Sequence, residues 1–205
     1  MIKNIIFDWS GVIKDSVEDH LFSVNLIFKE FGAQEMTLEE LKENWVQPHM
    51  DFYNKFLPEV SSEQQEVIYR KAITQRVPKP YPGVADLIRD LKLHDFKMVV
   101  ISSDLLETVT PEVISFGLEN NFLEIAANVY DKEKTVAELI KKYNFDKYET
   151  VIVGDSNHEL EVGKNIGIKT VATTWGFTTE KRLSTLHPDL IVHNLYDLRD
   201  AFFKL

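Results

Sequence analysis

The 205-residue sequence predicts a doubly wound α/β domain, built on a parallel sheet and interrupted by a helical insertion. Three observations predict it. Short continuous apolar runs recur along the chain and end in turn or polar residues, as strands covered on both faces do. Capped helical patterns lie between these runs, and such alternation argues for a parallel sheet. From residue 15 to about residue 79 the alternation stops, and only helical patterns remain.

The elements follow in order. Residues 2–7 read as the first buried strand, ending at Asp8. Ser16-Val17-Glu18-Asp19 starts a helix that Gly32 ends, and Thr37-Leu38-Glu39-Glu40 is a capping-box pattern that starts a second. Ser61 or Ser62 caps a third, running to about Gln75. The stretch Val77-Pro78-Lys79-Pro80-Tyr81-Pro82-Gly83 is a stiff connector. A helix over 83–93 then carries Val84, Leu87, Ile88 and Leu91 on one face. Residues 97–101 form the next strand, ending at Ser102-Ser103-Asp104, and 125–129 a weaker candidate. A helix over 133–143 is marked by Val136, Leu139, Ile140 and Tyr143. A strand over 150–153 ends at Gly154-Asp155, and a helix over 159–166 is closed by Gly167. Residues 168–173 and 189–192 complete the strands. The expected division is a core of residues 1–14 and 80–205 with a helical cap at 15–79.

Composition bounds the function. Hydrophobic residues make up 44% and charged residues 27%, ordinary globular values. A formal charge of -10 argues against nucleic acid as the main partner. The run Ile5-Ile6-Phe7 is too short for a signal peptide or a membrane span. There are no cysteines, which excludes disulfides and thiolate metal sites and fits a reducing cytoplasm.

Ligands of open parallel sheets bind beyond the carboxyl ends of the strands. Three predicted strands end there in chemistry-bearing residues, Asp8, Ser102 and Asp155. Two carboxylates facing one crevice repel unless a cation neutralises them. Mg²⁺ suits such a site, because it takes a few carboxylates plus waters and phosphate oxygens. A strand-end hydroxyl, backbone N–H groups and a lysine would then serve a phosphate. A small phosphorylated molecule is the expected partner.

These motifs, in this order, resemble the haloacid dehalogenase superfamily, in its phosphoglycolate-phosphatase-like branch. Phe7-Asp8-Trp9-Ser10-Gly11-Val12 with Asp15-Ser16 is similar to the first motif, and Val99-Val100-Ile101-Ser102-Ser103 to the second. Val153-Gly154-Asp155-Ser156 with Glu159 and Gly163-Lys164-Asn165-Ile166-Gly167 is similar to the fourth. The third is a lysine, for which Lys132 and Lys134 compete, and motif spacing favours Lys132. The resemblance implies Asp8 as nucleophile and Mg²⁺ held by Asp8, the Ser10 carbonyl and Asp155. Ser102, Ser103, Gly11 and Lys132 would bind the phosphoryl group, and Glu159 would orient a water on the metal.

One departure matters. Phosphatases of this family carry a second aspartate two residues after the nucleophile as general acid and base. Here that position is Ser10. The sequence therefore leaves three readings open: a slow or specialised phosphatase, a non-catalytic phosphate-ligand binder, and a phosphonate hydrolase. The last branch has Asp-Trp-Ala-Gly in the first motif and needs a cap lysine, here Lys42 or Lys55. Dehalogenase activity is disfavoured, because that branch has tyrosine at the Ser10 position. His49, among the aromatics Trp45, Phe52, Tyr53 and Phe56, is the first candidate for a stand-in acid, with His158 the second.

Overall fold

The computed structural model describes residues 1–205. Six parallel strands form one sheet in the order β3-β2-β1-β4-β5-β6. They are β1 (Asn4–Asp8), β2 (Lys97–Ile101), β3 (Glu124–Ala126), β4 (Thr150–Gly154), β5 (Lys169–Thr173) and β6 (Leu190–Val192). Every pair is parallel, with Asp8 opposite Ile101 and Phe7 opposite Val153. β1 therefore lies between β2 and β4, where the order of winding reverses. Doubly wound sheets bind ligands at that switch point.

The sheet is buried because alternate residues enter two different cores. Ile5, Phe7, Met98, Val100, Val151 and Val153 face α5 (Val84–Leu93), α6 (Leu106–Ser115) and α10 (Leu195–Lys204). Ile6, Val99, Ile101 and Ile152 face α7 (Lys132–Tyr143) and α8 (Asn157–Ile166). With both faces covered, the strands read as unbroken apolar runs.

Between β1 and α5 lie four helices and no strand: α1 (Val17–Glu30), α2 (Leu38–Asn44), α3 (His49–Phe56) and α4 (Ser62–Ile73). They bury a separate cluster that includes Val24, Ile27, Phe28, Trp45 and Phe52. Phe177, beyond β5, is the one residue of that cluster from outside the segment 15–79. The chain leaves and re-enters side by side, since Asp15 N–H donates to the Lys79 carbonyl and Tyr81 N–H to the Ile13 carbonyl, each at 2.9 Å.

The capping box read at Thr37 and the cap read at Ser61 match the structure, and Ser61 forms a box as well. Thr37 Oγ1 accepts from Glu40 N–H at 3.2 Å and Ser61 Oγ from Gln64 N–H at 3.3 Å. Other expectations need correction. β1 starts at Asn4 rather than residue 2, although Ile2 is buried. β3 ends at Ala126 rather than residue 129, because Asn128 turns the chain with φ 56°. The sequence reading placed no helix at α3 or α6, nor at α9 (Glu180–Thr185) or α10. α6 was masked by Pro111 in its interior, a residue that normally interrupts a helical pattern. No helix is long and apolar enough to cross a membrane.

Candidate active site

The sheet's carboxyl edge brings the predicted side chains together. Asp8 is the last residue of β1, Ser102 follows β2, and Asp155 follows β4. All three are buried, with exposures of 5%, 1% and 2%. Lys132 opens α7, whose N-cap Asp131 accepts from Lys134 N–H at 2.9 Å. That cap sets the first turn so that the Lys132 ammonium points inward and Lys134 outward. Lys132 Nζ donates to Asp8 Oδ1 at 2.8 Å and also to Glu159 Oε1. Lys134 is exposed, so of the two candidates Lys132 is the one that reaches Asp8.

Glu159 is fully buried on the first turn of α8 and accepts from Ser156 Oγ at 2.7 Å. A carboxylate oxygen from each of Asp8, Asp155 and Glu159 lies within 4.8 Å of the others. One lysine among three carboxylates leaves a deficit of positive charge, and the pKa values show it. Burial pushes the Asp8 carboxyl well above its ordinary value, against the pull of Lys132. Burial and the neighbouring Glu159 raise Asp155 to about 7, although it accepts a hydrogen bond from Phe177 N–H. Glu159 feels the same burial, but Lys132 and Ser156 bring it down to about 2. A cluster of hard oxygen donors with unbalanced charge fits a divalent cation such as Mg²⁺.

The glycines here have a steric role. Gly11 sits at φ 84°, and a Cβ at Gly11 or Gly176 would overlap the Asp155 carboxylate. Gly11 N–H donates to the Lys14 carbonyl at 2.9 Å, so it is not turned to a phosphate as the sequence reading expected. Ser103 is exposed, and no hydrogen bond joins its side chain to the cluster. Ser102 differs. Its Oγ accepts from Asp104 N–H at 3.0 Å, which leaves its own proton free to donate.

Of the two histidines considered as stand-in acids, His158 adjoins Glu159 at the start of α8 and His49 lies on α3. His49 is exposed on α3 with its ring against Tyr53, and His158 Nδ1 pairs with Gln47 at 3.1 Å. Three residues that the sequence reading passed over have polar or buried settings of their own, Asp104, Glu112 and His20. Ser10 Oγ donates to Asp104 Oδ2 at 2.6 Å. Glu112 of α6, 6% exposed, accepts from Trp9 Nε1 at 2.7 Å and from Lys14 Nζ at 2.6 Å. His20 of α1 packs between Trp45 and Phe177 with Nε2 buried and unpartnered, and burial lowers its pKa to about 4. Asp104 had a signal in the sequence, as the last residue of a strand end that already carried Ser102. Glu112 and His20 had none.

Of the cap lysines, Lys55 is tied to Asn44 at 2.6 Å on the surface. Lys42 is half-buried near enough to Asp155 to feel its charge, and burial lowers its pKa.

Known proteins resemble the chain along nearly its whole length. The chain is 26% identical over 207 aligned residues to pyrophosphatase PpaX of Halalkalibacterium halodurans, covering 97% of this chain and 96% of that one. It is 25% identical to the phosphoglycolate phosphatase of Aquifex aeolicus, covering 95% and 93%. The crystal structure of a predicted phosphatase from Clostridium acetobutylicum superposes with a TM-score of 0.84 at 20% identity, covering 100% of both chains. Protein Tyrosine Kinase A of Mycobacterium tuberculosis shares the fold too, with a TM-score of 0.80 at 21% identity and 98% of each chain covered. The family model for haloacid dehalogenase-like hydrolases matches residues 5–173, which hold β1 from Ile5, all of β2 to β5 and all of the clustered side chains. The chain belongs to the haloacid dehalogenase-like hydrolase family.

Proposed function

We propose that this hydrolase is a phosphatase for a small phosphorylated metabolite, acting through an aspartyl-phosphate at Asp8. The observation that carries the proposal is the Asp8 carboxylate at the switch point, buried and paired with the Lys132 ammonium at 2.8 Å. Asp8 attacks phosphorus. Lys132 screens the repulsion between that carboxylate and the phosphoryl oxygens, and Ser102 Oγ donates to one of them. Asp8, Asp155 and the Ser10 carbonyl would hold Mg²⁺, which when bound neutralises phosphoryl charge. Glu159 keeps Lys132 aimed at Asp8. Lys42, half-buried and within range of the Asp155 charge, would meet an anionic leaving group. That suits pyrophosphate or a carboxylate-bearing phosphate, the kinds of substrate that the names of the two relatives indicate.

The test is a hydrolysis screen of phosphorylated metabolites with Mg²⁺, for the wild type, Asp8→Asn and Ser10→Asp. Activity lost in Asp8→Asn, with phosphate trapped on wild-type Asp8, supports the proposal. A metal readout is independent of turnover. Asp155→Ala should abolish the Mg²⁺-induced rise in melting temperature, because a ligand bound only by the native state raises apparent stability. An unchanged rise would place the metal elsewhere.

The second reading, a phosphate-ligand binder without turnover, is favoured by Ser10 alone, which has no acid or base of its own near neutral pH. A fold does not fix an activity. Mg²⁺ binding with no hydrolysis by either the wild type or Ser10→Asp would establish it.

A further inference from the structure

We infer that His20 is the residue by which the site recognises its leaving group, and that this group is organic and carries a hydroxyl, so that the substrate is a polyol or hydroxy-acid phosphate rather than inorganic pyrophosphate. The inference deepens the phosphatase reading and rests on it. His20 lies in the first turn of α1, just past the tie of Asp15 to Lys79, and its N–H donates to the Ser16 carbonyl at 2.8 Å. That bond fixes the backbone from which the ring projects. The Nε2 atom is buried, and no group of the protein pairs with it. A buried polar atom without a partner costs stability, and native proteins keep few of them, so a retained one calls for a function.

The place of the ring is set by its neighbours. The Phe177 ring lies 5.2 Å from the imidazole, and the Phe177 N–H donates to Asp155, which follows β4. His20 also feels the charges of Asp104, which follows β2, and of Lys14. It is therefore bracketed by groups anchored after β2 and after β4, the strands on either side of Asp8.

The same neighbours define what would satisfy the nitrogen. Trp45, Phe177 and Tyr69 stand 4.3, 5.2 and 6.2 Å from the imidazole between ring centres, each edge to face. Such walls suit the carbon skeleton of an ester. The oxygens of pyrophosphate would lose water against them and gain no partner. Burial keeps the imidazole uncharged near neutral pH, so Nε2 either donates or accepts one hydrogen bond. A hydroxyl meets it in either tautomer, whereas an anion meets only a donor. The anion of a hydroxy acid would go to Lys42, within range of the Asp155 charge. An ester with the hydroxyl pairs Nε2 on binding and one without it does not, a difference of roughly 10-fold for one neutral hydrogen bond.

The test uses the full chain with Mg²⁺ and two matched pairs of esters: glycerol phosphate with propyl phosphate, and phosphoglycerate with its deoxy analogue. Inorganic pyrophosphate is the remaining ligand. Affinity is measured by calorimetry on Asp8→Asn, which separates binding from turnover, and kcat/KM with Asp8 intact. The hydroxylated member of each pair should bind roughly 10-fold more tightly and be turned over with a kcat/KM higher by the same factor. His20→Phe, which keeps an aromatic ring, should erase that preference. His20→Asn, which keeps a donor and an acceptor, should retain part of it. A purely structural role would lower every ligand alike and leave the preference as it was. The wild-type preference needs no His20 variant and is a test by itself. Its absence overturns the inference, as does its survival in His20→Phe or pyrophosphate bound more tightly than both hydroxylated esters. Preference in binding with no phosphate released from any ester would overturn the phosphatase reading and uphold the His20 contact. Release from every ester without the preference would overturn the inference alone.

Discussion

Lys132 is 1% exposed between two carboxylates, so its value lies in what they would cost without it. Removing one partner of a buried ion pair leaves uncompensated charge and typically costs about 3–5 kcal/mol. Lys132→Met should therefore destabilise by about that amount in urea unfolding, besides removing turnover; a loss under about 1 kcal/mol would mean that Asp8 and Glu159 are already compensated. His20 gives the pH counterpart. Its pKa is lowered from 6.5 to about 4, so the native state resists its protonation while the unfolded chain does not. The stability it contributes is present above pH 6.5 and is lost as pH falls toward and through about 4. That lowering corresponds to less than about 3 kcal/mol, since part of the ring edge is accessible. His20→Leu should flatten that part of the acid limb in a melting-temperature series from pH 7 to 4. An unchanged limb would assign acid sensitivity to other groups.

At the scale of elements, the helices rest on caps as much as on apolar faces. The capping box of α2 joins Thr37 and Glu40 on the surface, away from the site. Thr37→Ala should cost about 1 kcal/mol by thermal unfolding and leave turnover unchanged. A change in kcat would mean that α2 positions the site through more than its stability. This box was legible in the sequence because it is local, two residues three apart satisfying one another. The strands were legible for a related reason, since burial on both faces leaves an unbroken apolar run. Asp8, Ser102 and Asp155 were legible because the fold rule places strand ends together. The Ser10–Asp104 pair was not, because it joins residues 94 apart across the sheet edge, and nothing local marks it. His20 was passed over for a similar reason. Its setting comes from Trp45 and Phe177, which only the packing of α1 and α2 against the loop after β5 brings near. α6 stayed hidden behind its own proline.

At the scale of the molecule, α1–α4 and the sheet are joined by a few specific ties. Arg182 of α9 donates to the carbonyls of Lys42 and Trp45 at 3.0 and 2.8 Å, and Gln47 pairs with His158. Phe177 is the most consequential of them. Its N–H donates to Asp155 at the site, while its ring, 7% exposed, lies 5.7 Å from Trp45 in the helical cluster. Asp8, Ser102, Lys132 and Asp155 are all buried in this arrangement, so under the proposed phosphatase reading a phosphate ester would reach them only if the helices lifted and the ring left its cluster. Exposing a buried phenyl ring costs about 1.5–3 kcal/mol, which makes the admitting form roughly 10- to 100-fold rarer. Phe177→Ala should then speed amide exchange at residue 177 by about that factor and raise kcat/KM for poorly bound esters, while kcat falls as the closed complex loosens. Exchange at the wild-type rate would show that the ring does not restrain opening. On that reading the single phenylalanine would act as a toll on entry, charged equally to every ester, so that only those whose own contacts to the closed site exceed it would be retained long enough to react.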